Sequence, residues 1–163
     1  MDTSYRFLWV DCEMSGLDAN VNQLLEIACI ISDGECNSLV EGPEIVIHAS
    51  EEHLSKMDEW NTSHHGASGL TKKCIESKIS VEEAETMILD FLTKNNIQKM
   101  QLTIAGNSIH QDRIFIQKYM PKLTSFIHYR IFDVTTLKTM MDIHQPTSKF
   151  LKKGTHRALD DIR

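Results

Sequence analysis

Two acids stand one residue apart in WVDCEMSGLD, residues 9–18. In an extended chain, residues two apart project from one face, so Asp11 and Glu13 point together and Cys12 points away. Two like charges that close raise each other's pKa unless something neutralises them. A divalent cation does so, because hard ions prefer carboxylate oxygens. A solvated acidic end of an edge strand accounts for the pair equally well. The chemistry therefore depends on further ligands elsewhere in the chain.

Two stretches offer them. In GNSIHQDRIF, residues 106–115, Asp112 precedes Phe115, Ile116 and Tyr119 by three, four and seven positions. That spacing puts it on the apolar stripe of a helix. A carboxylate there is costly unless paired or metal-bound. The helix dipole explains an acid near the N-terminus, but not one on the inward face. In THRALDDIR, residues 155–163, a histidine precedes two acids. On one continuous helix Asp160 lies near His156, four positions on, and Asp161 more than a third of a turn round. With His156 on a loop before the helix, Asp161 faces the site instead. Helical geometry leaves both open, along with a capped helix bearing solvated acids.

These residues need a scaffold. Residues 5–13, 24–32 (LLEIACIIS) and 38–48 (SLVEGPEIVIH) read as strands. A turn near Asp33-Gly34 joins the second to the third, and Gly42-Pro43 marks a turn or a bulge. Residues 51–61 read as a helix. Ser80–Glu83 (SVEE) is a capping box opening a helix with Val81, Ala84, Ile88, Phe91 and Leu92 on one face. Strand 101–105, helix 110–119, strand 131–134, helix 135–142 and a helix begun by THRALDDIR complete the order. Three β elements followed by alternating helices and strands predict an α/β layer with a mixed sheet. The first three strands should form an antiparallel meander, and the later ones should join by helical crossovers. No repeat, low-complexity tract or linker interrupts residues 1–163, which predicts a single domain.

Composition narrows the function classes. The 163 residues are 41% hydrophobic and 25% charged, the balance of a soluble globular domain with one core. No apolar run is long enough to span a membrane, and MDTSYRF carries no signal-peptide pattern. Cys12, Cys29, Cys36 and Cys74 form no CxxC pair and read as reduced thiols of an intracellular protein. Seventeen basic against 23 acidic residues give a net charge of −6. A chain without a basic excess lacks the surface that holds long nucleic acids, so any such contact should be short and local.

Taken together, DCE at 11–13, GNSIHQD at 106–112, HYRIFDVTTLK at 128–138 and HRALDDI at 156–162 resemble the oligoribonucleases, the DEDDh 3′–5′ exonucleases that degrade short RNA. MDEWNTSHHGASGLT at 57–71 and KYMP at 118–121 are similar to this family too. The HHGASGLT and HYRIFD wording is nearer its eukaryotic members, the small fragment nucleases. The resemblance runs from about Trp9 to Arg163. It implies an RNase H-like fold with a five-stranded mixed sheet, two Mg²⁺ or Mn²⁺ ions and a homodimer. Its metal ligands map onto Asp11, Glu13, Asp112 and Asp161, and its general base onto His156. That pattern selects Asp161 over Asp160 and places His156 on the preceding loop. The implied reaction is two-metal hydrolysis to 5′-mononucleotides.

The resemblance also implies a substrate of two to five single-stranded ribonucleotides. Leu17 and Trp60 match an apolar wedge and an aromatic ring that clamp the bases. Ser108, Arg130, Thr135 and Thr139 match a cap on the 5′-phosphate, with Tyr129 reaching over from the partner subunit. Thr135 stands where many members have serine. His65 matches a histidine near the phosphate. His64, His110, His128 and His144 read as structural or exposed, and Glu26, Asp133 and Asp160 as capping or network residues. Lys149, Lys152 and Lys153 read as a solvated loop. Members of the family continue through a further helix beyond the end of this chain. Mitochondrial or cytoplasmic placement fits a eukaryotic member, and cytoplasmic placement a bacterial one. Two other readings compete: a DNA-trimming exonuclease of the same type, which leaves HYR and Trp60 unexplained, and a catalytically silent nucleotide-binding module.

Overall fold

The computed structural model describes residues 5–144 and 158–162. The expectations for His156, Lys149, Lys152 and Lys153 lie outside the described residues, as do the side chains of Asp160 and Asp161. Among the described residues five strands form one sheet, β1 (Phe7–Met14), β2 (Leu24–Ser32), β3 (Leu39–Val46), β4 (Thr103–Gly106) and β5 (His128–Asp133), in the spatial order β3-β2-β1-β4-β5. The expected meander is present: β1 pairs antiparallel with β2, and β2 with β3. β4 joins β1 in parallel, and β5 joins β4 in parallel. The carboxyl ends of β1, β4 and β5 therefore emerge at one edge of the sheet, where α/β sheets place their ligand crevice.

Every residue of β2 is buried, which explains its nearly continuous apolar run. β1 alternates instead, with Leu8, Val10 and Cys12 in the core and Phe7, Trp9, Asp11 and Glu13 on the other face. Phe7, Trp9 and Phe132 pack ring to ring on that face, with centroids 4.9–6.1 Å apart. The Gly42-Pro43 signal is a bulge. Between Ala28 and Ile30 of β2 the partner advances from Glu44 to Glu41, and the strand continues. Pro43 is tolerated because β3 is an edge strand. Gly42 is needed because a Cβ there would lie 2.7 Å from the Cys29 Sγ.

The helices are α1 (Glu51–Leu54), α2 (Glu59–Ala67), α3 (Leu70–Glu76), α4 (Val81–Lys94), α5 (Ile109–Tyr119), α6 (Pro121–Phe126), α7 (Val134–His144) and α8 (Ala158–Ile162). The capping box of α4 has both reciprocal hydrogen bonds. The single helix expected over 51–61 is instead two. Asp58 accepts the Asn61 N–H at 2.7 Å and starts α2 afresh. A second N-cap outcompeted the apparent periodicity. α6, unforeseen, opens with Pro121 at its first position, where a missing N–H costs nothing.

Candidate active site

Asp11 and Glu13 lie near the end of β1, side by side on one face as alternation requires. Cys12 between them is buried on the opposite side. Asp112 arrives from α5, which begins just past β4 and packs Ile109, Phe115 and Ile116 into the core. Its side chain is only 6% exposed, and its Oδ1 accepts the backbone N–H of Cys12 at 2.9 Å. One hydrogen bond thus ties the helix acid to the strand between the other two acids. Burial pushes the Asp112 carboxyl up to about 6, against hydrogen bonds from Cys12 that pull it down. Burial, and then the negative charges of Asp112, Asp11 and Glu13, hold the Cys12 thiol well above its usual range.

This donor set suits a hard cation: carboxylate oxygens only, one of them desolvated. Among the described residues no three His, Cys, Asp or Glu side chains already close into a metal cage. The fourth expected ligand, Asp161, belongs to α8, whose backbone packs on β1 and β2.

Glu26 explains how α8 is held. It lies opposite Glu13 in the β1–β2 ladder, is 0% exposed, and accepts the Ala158 N–H at 3.2 Å. An acid inside an apolar strand was visible in LLEIACI; its partner, 132 residues away, was not. The reading of Glu26 as a network residue, and not a ligand, agrees with this contact.

The two residues expected to clamp bases, Trp60 and Leu17, are open to solvent. Trp60 is 55% exposed and stacks on His64, with ring centroids 3.9 Å apart. The His64 Nδ1 hydrogen-bonds to the Trp60 carbonyl at 2.7 Å, so His64 backs the tryptophan. Leu17 is 72% exposed on the loop after β1. That loop is fixed from α5: Gln111 donates to the Leu17 carbonyl at 2.7 Å, Tyr119 to the Asn22 carbonyl at 2.6 Å, and Lys118 to the Ala19 carbonyl. These anchors were missed in the sequence, where nothing in α5 points to residues 17–22. His65 is buried beside Glu13. Its Nε2 donates to the Met14 carbonyl at 2.9 Å, and its Nδ1 lies 4.0 Å from Glu13 Oε2.

The residues expected to cap a 5′-phosphate gather at β5 and just beyond β4 and β5. Ser108 has a left-handed backbone (φ 54°), and its N–H reaches Asp133 Oδ1 at 3.0 Å and Thr135 Oγ1 at 2.9 Å. The Ser108 and Thr135 hydroxyls are 3.1 Å apart, and the Thr135 hydroxyl donates to Asn107 Oδ1 at 2.9 Å. Thr139, one turn along α7, donates to the Thr135 carbonyl. Arg130 and Tyr129 owe their exposure to a bulge: from Thr103 to Ile104 in β4, the partner in β5 jumps from His128 to Ile131. The two extra residues swing out of the ladder, as bulges beside functional sites do. The Arg130 guanidinium then sits over the Tyr129 ring, 5.7 Å from its centroid. The expected strand 131–134 begins three residues early for the same reason.

The family model RNase_T, described as Exonuclease, matches residues 8–163. The chain is 48% identical to the oligoribonuclease of Pseudomonas savastanoi pv. phaseolicola over 163 residues, covering all of this chain and 91% of that protein. It is 48% identical to a probable oligoribonuclease of Caenorhabditis elegans over 158 residues, covering 96% and 81%. Its fold is similar to that of an exonuclease I from Methylocaldum szegediense, with a TM-score of 0.55 at 13% identity, covering 96% of this chain and 34% of that one. The fold is RNase H-like, and the chain belongs to the RNase_T exonucleases, in their oligoribonuclease branch.

Proposed function

We propose that this exoribonuclease removes nucleotides 3′ to 5′ from RNA two to five residues long, leaving 5′-mononucleotides. Asp11, Glu13, Asp112 and Asp161 would hold two Mg²⁺ or Mn²⁺ ions. Such ions supply Lewis acidity to a scissile phosphate and make a water acidic enough to attack near neutral pH. His156 would serve as the general base, since an imidazole is the side chain suited to move a proton near neutral pH. The observation that carries the reading is the buried Asp112 carboxylate bonded to the Cys12 N–H between two further acids. A core packs an acid there when the charge has work to do.

The preference for short RNA rests on the clamp and the cap. Trp60 and Leu17 offer apolar surface on which bases can stack, at about 1–3 kcal/mol per base. Ser108, Arg130, Thr135 and Thr139 take the 5′-phosphate and so exclude longer strands, with His65 near the phosphate. A homodimer places Tyr129 over the partner's site. Its support is α7, which buries none of its residues in the single chain. Leu137, Met140, Met141 and Ile143, with Ile131 on β5, leave apolar side chains exposed along that edge.

The test is cleavage of a 5′-labelled diribonucleotide beside a strand of about twenty residues, with Mn²⁺. Fast dinucleotide cleavage, slow attack on the long strand and loss with EDTA are expected. Preference for the long strand would replace the capped site with a general exonuclease. Binding without turnover would leave a silent module.

A further inference from the structure

Asp133 closes β5 directly opposite Gly106, the last residue of β4. One of its oxygens accepts two backbone N–H groups from different segments, Ser108 at 3.0 Å and Thr135 at 2.9 Å. The other oxygen lies 3.4 Å from His110 Nδ1. A carboxylate near a phosphate subsite repels its own ligand, so attraction does not explain an acid here. Geometry does. Ser108 is a non-glycine residue in the left-handed region, a conformation that persists only where surrounding contacts enforce it. Charge-assisted bonds to backbone N–H groups are strong enough to do that. The Ser108 N–H is shared between Asp133 Oδ1 and the Thr135 hydroxyl (2.9 Å), and by holding both N–H groups on one oxygen Asp133 fixes the geometry in which the Ser108 and Thr135 hydroxyls stand 3.1 Å apart. His110, mostly exposed, offers a cationic partner on the other oxygen when protonated.

We infer that Asp133 is a positioning residue for terminal-phosphate recognition: it touches no substrate, but sets the pair of hydroxyls that does. The inference rests on reading Ser108 and Thr135 as part of the 5′-phosphate cap. It differs from simple capping of α7, which the Thr135 N–H bond alone would serve.

Two substitutions separate these roles. In Asp133→Ser the shorter hydroxyl can still cap the Thr135 N–H but is too short to hold Ser108 as well. In Asp133→Asn the amide oxygen can accept both N–H groups. Steady-state kinetics are measured on a 5′-phosphorylated and a 5′-hydroxyl diribonucleotide, the latter also reporting whether the variant is folded. For Asp133→Ser we expect KM for the phosphorylated substrate to rise about tenfold, with kcat and the 5′-hydroxyl substrate changing by less than about twofold. Asp133→Asn should keep most of the preference. Retention of the full phosphate preference in Asp133→Ser overturns the inference, and so does an equal loss on both substrates. A wild type indifferent to the 5′-phosphate overturns the cap reading and this inference together, and it is recognised without any variant.

Discussion

The acid cluster and the cap lie at the same edge of the sheet but are built in opposite ways. Asp112 is buried, hydrogen-bonded to a central strand and carried by a helix whose stripe fills the core. Apart from Ser108 at the start of α5, the proposed cap stands on the edge strand β5 and on α7, which buries nothing in the single chain. On the proposed reading, chemistry is placed where packing fixes geometry, and recognition where a second surface can complete it. Arg130 and Tyr129 leave the ladder at a bulge and carry no core load, so they can change without unfolding the protein. The acids cannot change without altering a desolvated site.

The largest effect should come from the acid cluster. Asp112→Asn keeps an oxygen for the Cys12 N–H but removes the charge. Turnover of every substrate should fall by more than about a hundredfold, the upper end seen even for groups that only support a ligand. The same variant should stabilise the metal-free protein. The Asp112 carboxyl is raised from 3.8 to about 6 in the fold. A raised carboxyl contributes stability below pH 4 that is lost as pH rises through about 6. Urea unfolding of metal-free protein at pH 8 should therefore show Asp112→Asn more stable by about 2–3 kcal/mol, with no advantage at pH 3. A variant that is inactive and also less stable at pH 8 would point to a packing role for Asp112 and remove its difference from the cap residues.

The cap should respond selectively where the acids do not. Arg130→Ala removes a charged donor, so calorimetric affinity for a 5′-phosphorylated dinucleotide should fall by about 1.5–3 kcal/mol. Affinity for the 5′-hydroxyl form should hold. Trp60→Ala should weaken both forms alike, by about 1–3 kcal/mol, because stacking ignores the terminal phosphate. Equal effects of Arg130→Ala on both forms would mean that the basic side chain does not read the phosphate.

Smallest is the effect expected at Glu26. Glu26→Gln can still accept the Ala158 N–H, whereas Glu26→Leu cannot. A loss of about 1 kcal/mol in Glu26→Leu but not in Glu26→Gln, followed by thermal unfolding, would assign the contact to holding α8. Equal loss in both would mean that accepting the Ala158 N–H is not what the side chain contributes.

Much of this was readable along the chain. Alternation in WVDCEM put Asp11 and Glu13 on one face, the stripe of α5 turned Asp112 inward, and SVEE announced α4, because these depend on neighbours within a few residues. The residue types that could do the chemistry were therefore set by sequence alone, as was the meander of the first three strands. Tertiary structure decided which distant residues meet. Cys12 and Asp112 are a hundred residues apart, and their bond depends on β4 lying beside β1. The fixing of residues 17–22 from α5, the Glu26 contact with α8 and the Asp133 hold on Ser108 follow from strand order too. The bulge that frees Tyr129 and Arg130 is a register choice between two strands, legible in neither. Local periodicity reports which way a side chain faces; only the packing of strands and helices reports what it faces.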